Sequence, residues 1–373
     1  MKGRVSSFLN EYKNPNSFRN NRGALKSFFT FIYGSSNVDL TVLDAQADKY
    51  FSERRDYEDD LLKFLASLDS QAPKTVSCKI TGVRVFFSEN DLEFSNKFWR
   101  KIKRRGKGSE ALTMDKIPNN QDLRKILMHL LIGGQALTLL LLSSGMRIGE
   151  ALKLVFHDIK LDETPARVNV RGEIAKNKKP RITFISREAK EVLLEWIKNR
   201  EQYIQVACRK SHLHKKQTDD PRVFPFSDAT FYMAWNNALK KAGLFEQDPS
   251  TNRTTIHPHT LRKFFRAKLG MVISVDVAEA LMGHGEYLTK IYRRYPDPEK
   301  TLREEYNKGE HALLIFGESE QLTKWENEKR QMQNTINSLV FENTDLKQRI
   351  GFIENGLKEL RNEMMQYVQE SEK

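Results

Sequence analysis

Residues 130–142 are apolar at nearly every position, interrupted mainly by Gly133-Gly134-Gln135. The run is too short to cross a bilayer, which takes about 20 residues as a helix. A helix that is apolar all round has to be wrapped by other elements. This segment is therefore expected to be the buried helix of a globular domain. At 373 residues the chain is long enough for two or three such domains.

The sequence before this run reads as all-helical to about residue 105. Leu25, Phe28, Phe29 and Ile32 recur at helical spacing, with Arg19, Arg22 and Lys26 on other faces. Val76, Ile80, Val83 and Phe86 or Phe87 repeat the pattern. Residues 101–108, Lys-Ile-Lys-Arg-Arg-Gly-Lys-Gly, form a basic stretch with two glycines, expected to be the linker between domains 1–105 and 106–315. In the second domain the pattern is mostly helical with one hairpin. Arg167-Val168-Asn169-Val170-Arg171 and Arg181-Ile182-Thr183-Phe184-Ile185 alternate polar and apolar residues, and residues 176–180 join them as a long turn. Ser186 is placed to cap a following helix that holds Leu193, Leu194 and Ile197. Residues 210–220 read as a polar loop, after which Val223-Phe224-Pro225, Phe231 and Trp235 return to the core.

Residues 322–367 carry heptads, expected to make 318–373 a coiled-coil tail. One seam position holds Ile336, Asn343, Ile350, Leu357 and Met364; the other holds Leu339, Leu346, Ile353, Leu360 and Tyr367. Isoleucine at the first and leucine at the second favour a parallel two-stranded coil, and a lone seam asparagine fixes register. Gly351 and Gly356 weaken the helix by about 1 kcal/mol each. The alternative is a long amphipathic helix packed on its own body.

The net charge is +13, and the tail from residue 318 onward is acidic, so the body is more basic than the whole. A basic body of this size attracts a polyanion, nucleic acid being the usual one. Two cysteines, Cys78 and Cys208, exclude a disulfide framework and suit a reducing compartment. The N-terminus lacks the apolar stretch of a signal peptide. Cys208, His212 and His214 fall short of a zinc site, because no second cluster completes them, so no metal is expected. The expected setting is intracellular: cytoplasm or nucleoid, with no membrane.

Four segments between residues 143 and 295 matter as a set. Ser143-Ser144-Gly145-Met146-Arg147-Ile148-Gly149-Glu150 is a turn that enters a helix and sets Arg147 at its start. Lys176 opens the hairpin turn. His257-Pro258-His259-Thr260-Leu261-Arg262 puts His259 and Arg262 three apart on one face of a helix. Leu281-Met282-Gly283-His284 is followed by Tyr292, in Lys290-Ile291-Tyr292. Taken singly, each has a plain structural explanation: a surface ion pair, a helix cap, a half-buried ring.

In this order the segments resemble the tyrosine recombinase (phage integrase) family. That family has an arginine in a TG-x-R-x-x-E turn, a lysine opening a K-x-x-K-x-R hairpin turn, an H-x-x-R pair, a GH, and a tyrosine a short way beyond. Arg147 and Glu150 match the first box, with Ser144 in place of the usual threonine. Lys176, Lys179 and Arg181 match the second, His259 and Arg262 the third, and His284 the fourth. Tyr292 matches the nucleophile; its gap from His284 is one residue shorter than in many members, which leaves Tyr295 as the alternative. The resemblance covers about residues 18–300, and its specific part is the catalytic half.

The resemblance implies a mainly α fold with a small sheet and an N-terminal helical core-binding domain that clamps DNA with the catalytic domain. It implies strand cleavage and rejoining through a 3′-phosphotyrosine on Tyr292, without metal or cofactor. Arg147 and Arg262 are expected to grip the non-bridging oxygens in permanently charged planar forks. Lys176 is the expected general acid for the leaving 5′-oxygen. His259 helps take the tyrosine proton or holds a phosphate oxygen, His284 donates to the phosphate, and Glu150 orients Arg147. Lys101, Lys103, Arg104, Arg105, Lys178, Lys179 and Arg181 are expected to contact DNA. The implied partners are double-stranded DNA and further copies of the chain, a tetramer on DNA with a possible dimer through the coil. The implied use is integration of a mobile element or virus. The alternatives are a type IB topoisomerase-like or hairpin-forming enzyme, and a non-catalytic DNA-binding scaffold that dimerises through its tail.

Overall fold

The computed structural model describes residues 4–34, 39–106, 108, 114–210, 219–249, 251–285, 287 and 294–317. The heptad region, His212, His214 and Tyr292 lie outside the described residues. Contacts divide the chain into two compact units, Met1–Lys116 with Phe245–Ile256, and Ile117–Leu244 with His257–Lys373.

The first unit is helical: α1 (Val5–Asn10), α2 (Pro15–Tyr33), α3 (Leu40–Ser52), α4 (Tyr57–Ser67), α5 (Pro73–Glu89) and α6 (Asn96–Arg105). Side chains of Asn14, Asp39, Asp56 and Ser95 accept from backbone N–H groups in the first turns of α2, α3, α4 and α6. The core is aromatic. Phe28 meets Tyr50, Phe64 and Phe87 edge-on at 5.2–5.4 Å, and all four are fully buried. The expected stripes on α2 and α5 face this core. Gly82 brings the two helices together, since a Cβ there would lie 2.6 Å from that of Ala24.

Residues 101–105 of the basic stretch expected to be a linker are the end of α6. Phe98 and Ile102 anchor that helix in the core, and Lys103, Arg104 and Arg105 occupy its last turn, where cations offset the helix dipole. The division by contacts falls at Lys116. Two backbone-linked contacts tie the later segment to residues 114–116: Met114 N–H donates to Asp248 (3.3 Å) and Lys116 N–H to the Thr255 carbonyl (3.0 Å).

The second unit contains α7 (Asn120–Met128), α8 (Ile132–Ser144), the short α9 (Ile148–Ala151), β1 (Ile159–Lys160), β2 (Ala166–Val170), β3 (Arg181–Ile185), α10 (Arg187–Lys210), α11 (Asp228–Lys241), α12 (Pro258–Leu269), α13 (Val275–Met282) and α14 (Pro298–Gly309). The apolar run is α8, buried along most of its length. Its glycines lie inside the helix: a Cβ at Gly133 would sit 2.9 Å from the Trp196 ring of α10. Gln135 donates to the Leu127 and Leu130 carbonyls, which satisfies the end of α7. The expected hairpin is present, Ala166 facing Ile185 through Val170 facing Arg181, and β1 adds a third antiparallel strand. The fold is thus mainly α with a small sheet. Val223, Phe224, Phe231 and Trp235 are buried, as their spacing predicts. Among the described residues no helix is long and apolar enough to cross a membrane.

Candidate phosphate-binding site

Three turns of the second unit converge. The first follows α8. Gly145 ends that helix at φ +62°, where a Cβ would lie 2.5 Å from the Phe265 ring, so the turn has room for glycine alone. Arg147 is then extended and begins α9. Its backbone N–H donates to Glu150 Oε2 at 3.1 Å and its Nη1 to Glu150 Oε1 at 3.0 Å.

The second turn is the hairpin loop. Glu150 also accepts from Arg181 Nη2 at 2.6 Å, and the Lys176 N–H lies 3.5 Å from Glu150 Oε1. Burial works against a charged Glu150, but the Arg181 and Arg147 guanidiniums and the Arg147 N–H outweigh it and hold the carboxyl below its usual range. Arg181 is not a surface cation as expected. It is 3% exposed, and its Nε donates to the Leu281 carbonyl at 3.1 Å. Its Nη1 is buried with no hydrogen-bond partner among the described residues. Lys176, Lys178 and Lys179 are exposed on the loop.

The third turn follows α13. Gly283 sits at φ +82°, and a Cβ there would meet Arg181 Cδ at 2.5 Å. Asn177 donates to the Gly283 carbonyl at 3.1 Å and so ties the loop to this turn. His284 follows, with Nε2 3.1 Å from Arg262 Nη2.

Arg262, on α12, is where the turns meet. It is 3% exposed, donates through Nη1 to the Gly145 carbonyl, and through Nη2 to the Met282 carbonyl at 2.9 Å. Burial, then repulsion by Arg147 and Arg181, pushes its guanidinium down to about 9, so it stays charged at neutral pH. A desolvated cation beside two others attracts negative charge. His259 lies one turn earlier on α12 and is exposed; its ring is parallel to that of His257 at 6.3 Å.

The structure therefore gathers Arg147, Glu150, Arg262 and His284, brings the Lys176 backbone to the same carboxylate, and leaves the His259 ring at the surface. Sequence reasoning missed Asn177, and it missed Glu279, whose carboxylate receives both His284 Nδ1 and Arg266 Nε. Asn177 fills a variable position of the hairpin motif and Glu279 lies outside every motif, so only the turns that carry them bring them in. Tyr295 is half-buried and packs against the cluster of Phe265, Leu281 and Phe184.

Solved structures similar to this chain include XerA recombinase, at 20% identity over 77% of this chain and 98% of that one, with a TM-score of 0.35. A lambda integrase dimer bound to a COC′ core site aligns at 14% identity over 72% and 96%, with a TM-score of 0.45. The Tn1549 transposon integrase in complex with transposon right end DNA aligns at 13% over 76% and 98%, with a TM-score of 0.46. No curated protein matches the chain. The sequence model of the phage integrase family, in contrast, matches residues 91–299, more than half of the length and all three converging turns. On that match the chain belongs to the phage integrase family, the tyrosine recombinases.

Proposed function

We propose that the chain is a site-specific DNA recombinase that cuts and rejoins strands through a 3′-phosphotyrosine on Tyr292 and serves the integration of a mobile element or virus inside the cell. The observation that carries this reading is Arg262: a buried guanidinium beside Arg147, Arg181 and His284. In this reading the scissile phosphate enters against Arg262 and Arg147, which hold its non-bridging oxygens as charge builds on them. The Tyr292 oxygen attacks phosphorus, and the 5′-oxygen leaves with a proton from Lys176, whose side chain is exposed on the hairpin loop. His284 donates to the phosphate, and His259 assists the tyrosine proton. Rejoining reverses these steps, with the bond energy held in the phosphotyrosine. Tyr295 packs against the core, which favours Tyr292 as the nucleophile.

Double-stranded DNA is the partner in this reading, with four copies assembled on two duplexes; the lambda integrase and Tn1549 integrase neighbours are complexes with a core site and with transposon right end DNA. In the first unit, Lys103, Arg104 and Arg105 are exposed at the end of α6 and Lys101 is half-buried; with Lys178 and Lys179 they follow the phosphates. The tail of 318–373 assists assembly.

The test is a library of nicked duplex fragments on which cleavage strands the product. Wild type traps a covalent protein–DNA adduct, and Tyr292→Phe binds without trapping. No adduct on any fragment would leave a DNA-binding scaffold. Supercoil relaxation without strand exchange would leave a topoisomerase. If Tyr295→Phe is the dead variant, the nucleophile is Tyr295.

A further inference from the structure

We infer that Glu279 is a positioning residue for His284: its buried carboxylate holds the imidazole with the proton on Nδ1 and turns Nε2 towards the phosphate site. The inference deepens the recombinase reading and rests on it for the role of His284.

The geometry begins in the backbone. α13 ends at Gly283, and the His284 N–H folds back to the Glu279 carbonyl at 3.0 Å. That turn sets the imidazole beside the helix it has just left, next to a glutamate five residues earlier. The Glu279 residue is 5% exposed. Its Oε2 faces His284 Nδ1, and its Oε1 receives Arg266 Nε. Burial disfavours the charge on Glu279, but the hydrogen bonds from Arg266 and His284 and the Arg266 charge prevail and lower its carboxyl from the usual value. An ionised carboxylate only accepts, so the proton between the two groups belongs to Nδ1.

The other ring nitrogen then follows. Arg262 Nη2 is a donor, and it lies 3.1 Å from Nε2. In the DNA-free chain Nε2 accepts from Arg262, and the ring cannot rotate without breaking both contacts. When a phosphate oxygen takes up the Arg262 N–H, Nε2 is left directed at the same oxygen. To donate there the ring takes up a proton from solvent at Nε2, and the carboxylate on Nδ1 supplies the counter-charge for the imidazolium so formed. A carboxylate that fixes tautomer and orientation through the far nitrogen is a general way to aim a histidine. The charged groups in contact with the ring are Arg262 from α12 and Glu279, the one carboxylate that touches it among the described residues; Arg266 from α12 shares that carboxylate, while Arg147, Arg181 and Glu150 act on Arg262.

A purely structural role is the competing account: Glu279 would staple α13 to α12 through Arg266. The Arg266 side chain is 54% exposed, and removing it spares the His284 contact. The experiment has two arms on the full chain. The first reads His284 by 15N–1H correlation of labelled histidine, assigned by loss of its signal in His284→Gln. Wild type and Glu279→Gln should carry the proton on Nδ1, and Glu279→Leu should move it to Nε2 or average the two nitrogens. The second arm measures single-turnover adduct formation and dissociation constant on a nicked fragment that wild type cleaves. Glu279→Leu should slow cleavage about 100-fold with affinity within about threefold, Glu279→Gln should recover most of the rate, and Arg266→Gln should lose less than about threefold.

An Nε2–H tautomer in wild type overturns the inference even if Glu279→Leu fails to fold. Equal losses in Arg266→Gln and Glu279→Leu overturn it in favour of the staple. If wild type forms no adduct, the recombinase reading fails while the spectroscopic arm still decides the histidine–glutamate geometry.

Discussion

Arg181 Nη2 donates to Glu150 Oε2 across 2.6 Å, with the two side chains 1% and 3% accessible. Breaking such a pair strands a buried charge. Glu150→Ala should therefore cost about 3–5 kcal/mol in urea denaturation, well beyond an exposed ion pair. The pH dependence has a definite sign. The Glu150 carboxyl is lowered in the folded chain, so its contribution is complete above the usual carboxylate value of 4.5 and is lost as pH falls below it. Glu150→Gln should flatten the stability profile in that acid window, and an unchanged profile would count against the pairing.

Arg262 sets a window at the other end of the scale. Its guanidinium is pushed to about 9 from an ordinary 12.5, so the cost of burying its charge is present below 9 and is relieved as pH rises through it. A bound phosphate pulls the proton back. DNA affinity, measured by anisotropy at constant ionic strength from pH 7.5 to 10, should show a fall near 9 in wild type that is missing from Arg262→Gln. Parallel curves would mean that Arg262 does not carry the pH dependence of DNA binding.

Glu188 makes a separate anchor. Its carboxylate accepts from the backbone N–H groups of Ile315 (2.8 Å), Phe316 (2.9 Å) and Gly317 (3.2 Å), while Asn120 and Arg124 donate to the Leu314 and Ile315 carbonyls. Glu188→Ala orphans buried donors and should cost about 2–4 kcal/mol. Hydrogen exchange should speed up at those three amides first; uniform protection would refute the anchor.

Gly145→Ala tests the turn beside Arg147. The left-handed backbone at φ +62° and the 2.5 Å approach to Phe265 act together. The substitution should lower stability by about 2–4 kcal/mol, read by thermal or urea unfolding. Parity with wild type would show that the turn can relax.

Much of this architecture follows from short-range rules. The hairpin is legible because Val168 and Val170 alternate with Arg167 and Asn169, and α12 is legible because Pro258 fits only the first turn of a helix. Ser186 accepts from Ala189 N–H at 3.4 Å, near where a capping serine was expected. The failures share a cause. Arg181 is a charged residue in a basic loop, and nothing local says that a glycine 102 positions later opens the space in which it is buried. Lys101–Arg105 look like a linker until Phe98 and Ile102 are seen to anchor them in a helix. Glu279 and His284 are five apart, a spacing that neither helix nor strand brings together; the Gly283 turn does so. Phe245–Ile256 joins the first unit through backbone pairing that leaves no trace in composition.

The two carbonyls that hold Arg262 come from Gly145, which caps α8, and Met282, the last residue of α13. Both are negative poles of helices. Part of the electrostatic support for this cation is therefore written into the main chain, where acid cannot titrate it away and no side-chain exchange can delete it. Those carbonyls cannot withdraw from Arg262 unless the ends of α8 and α13 themselves shift.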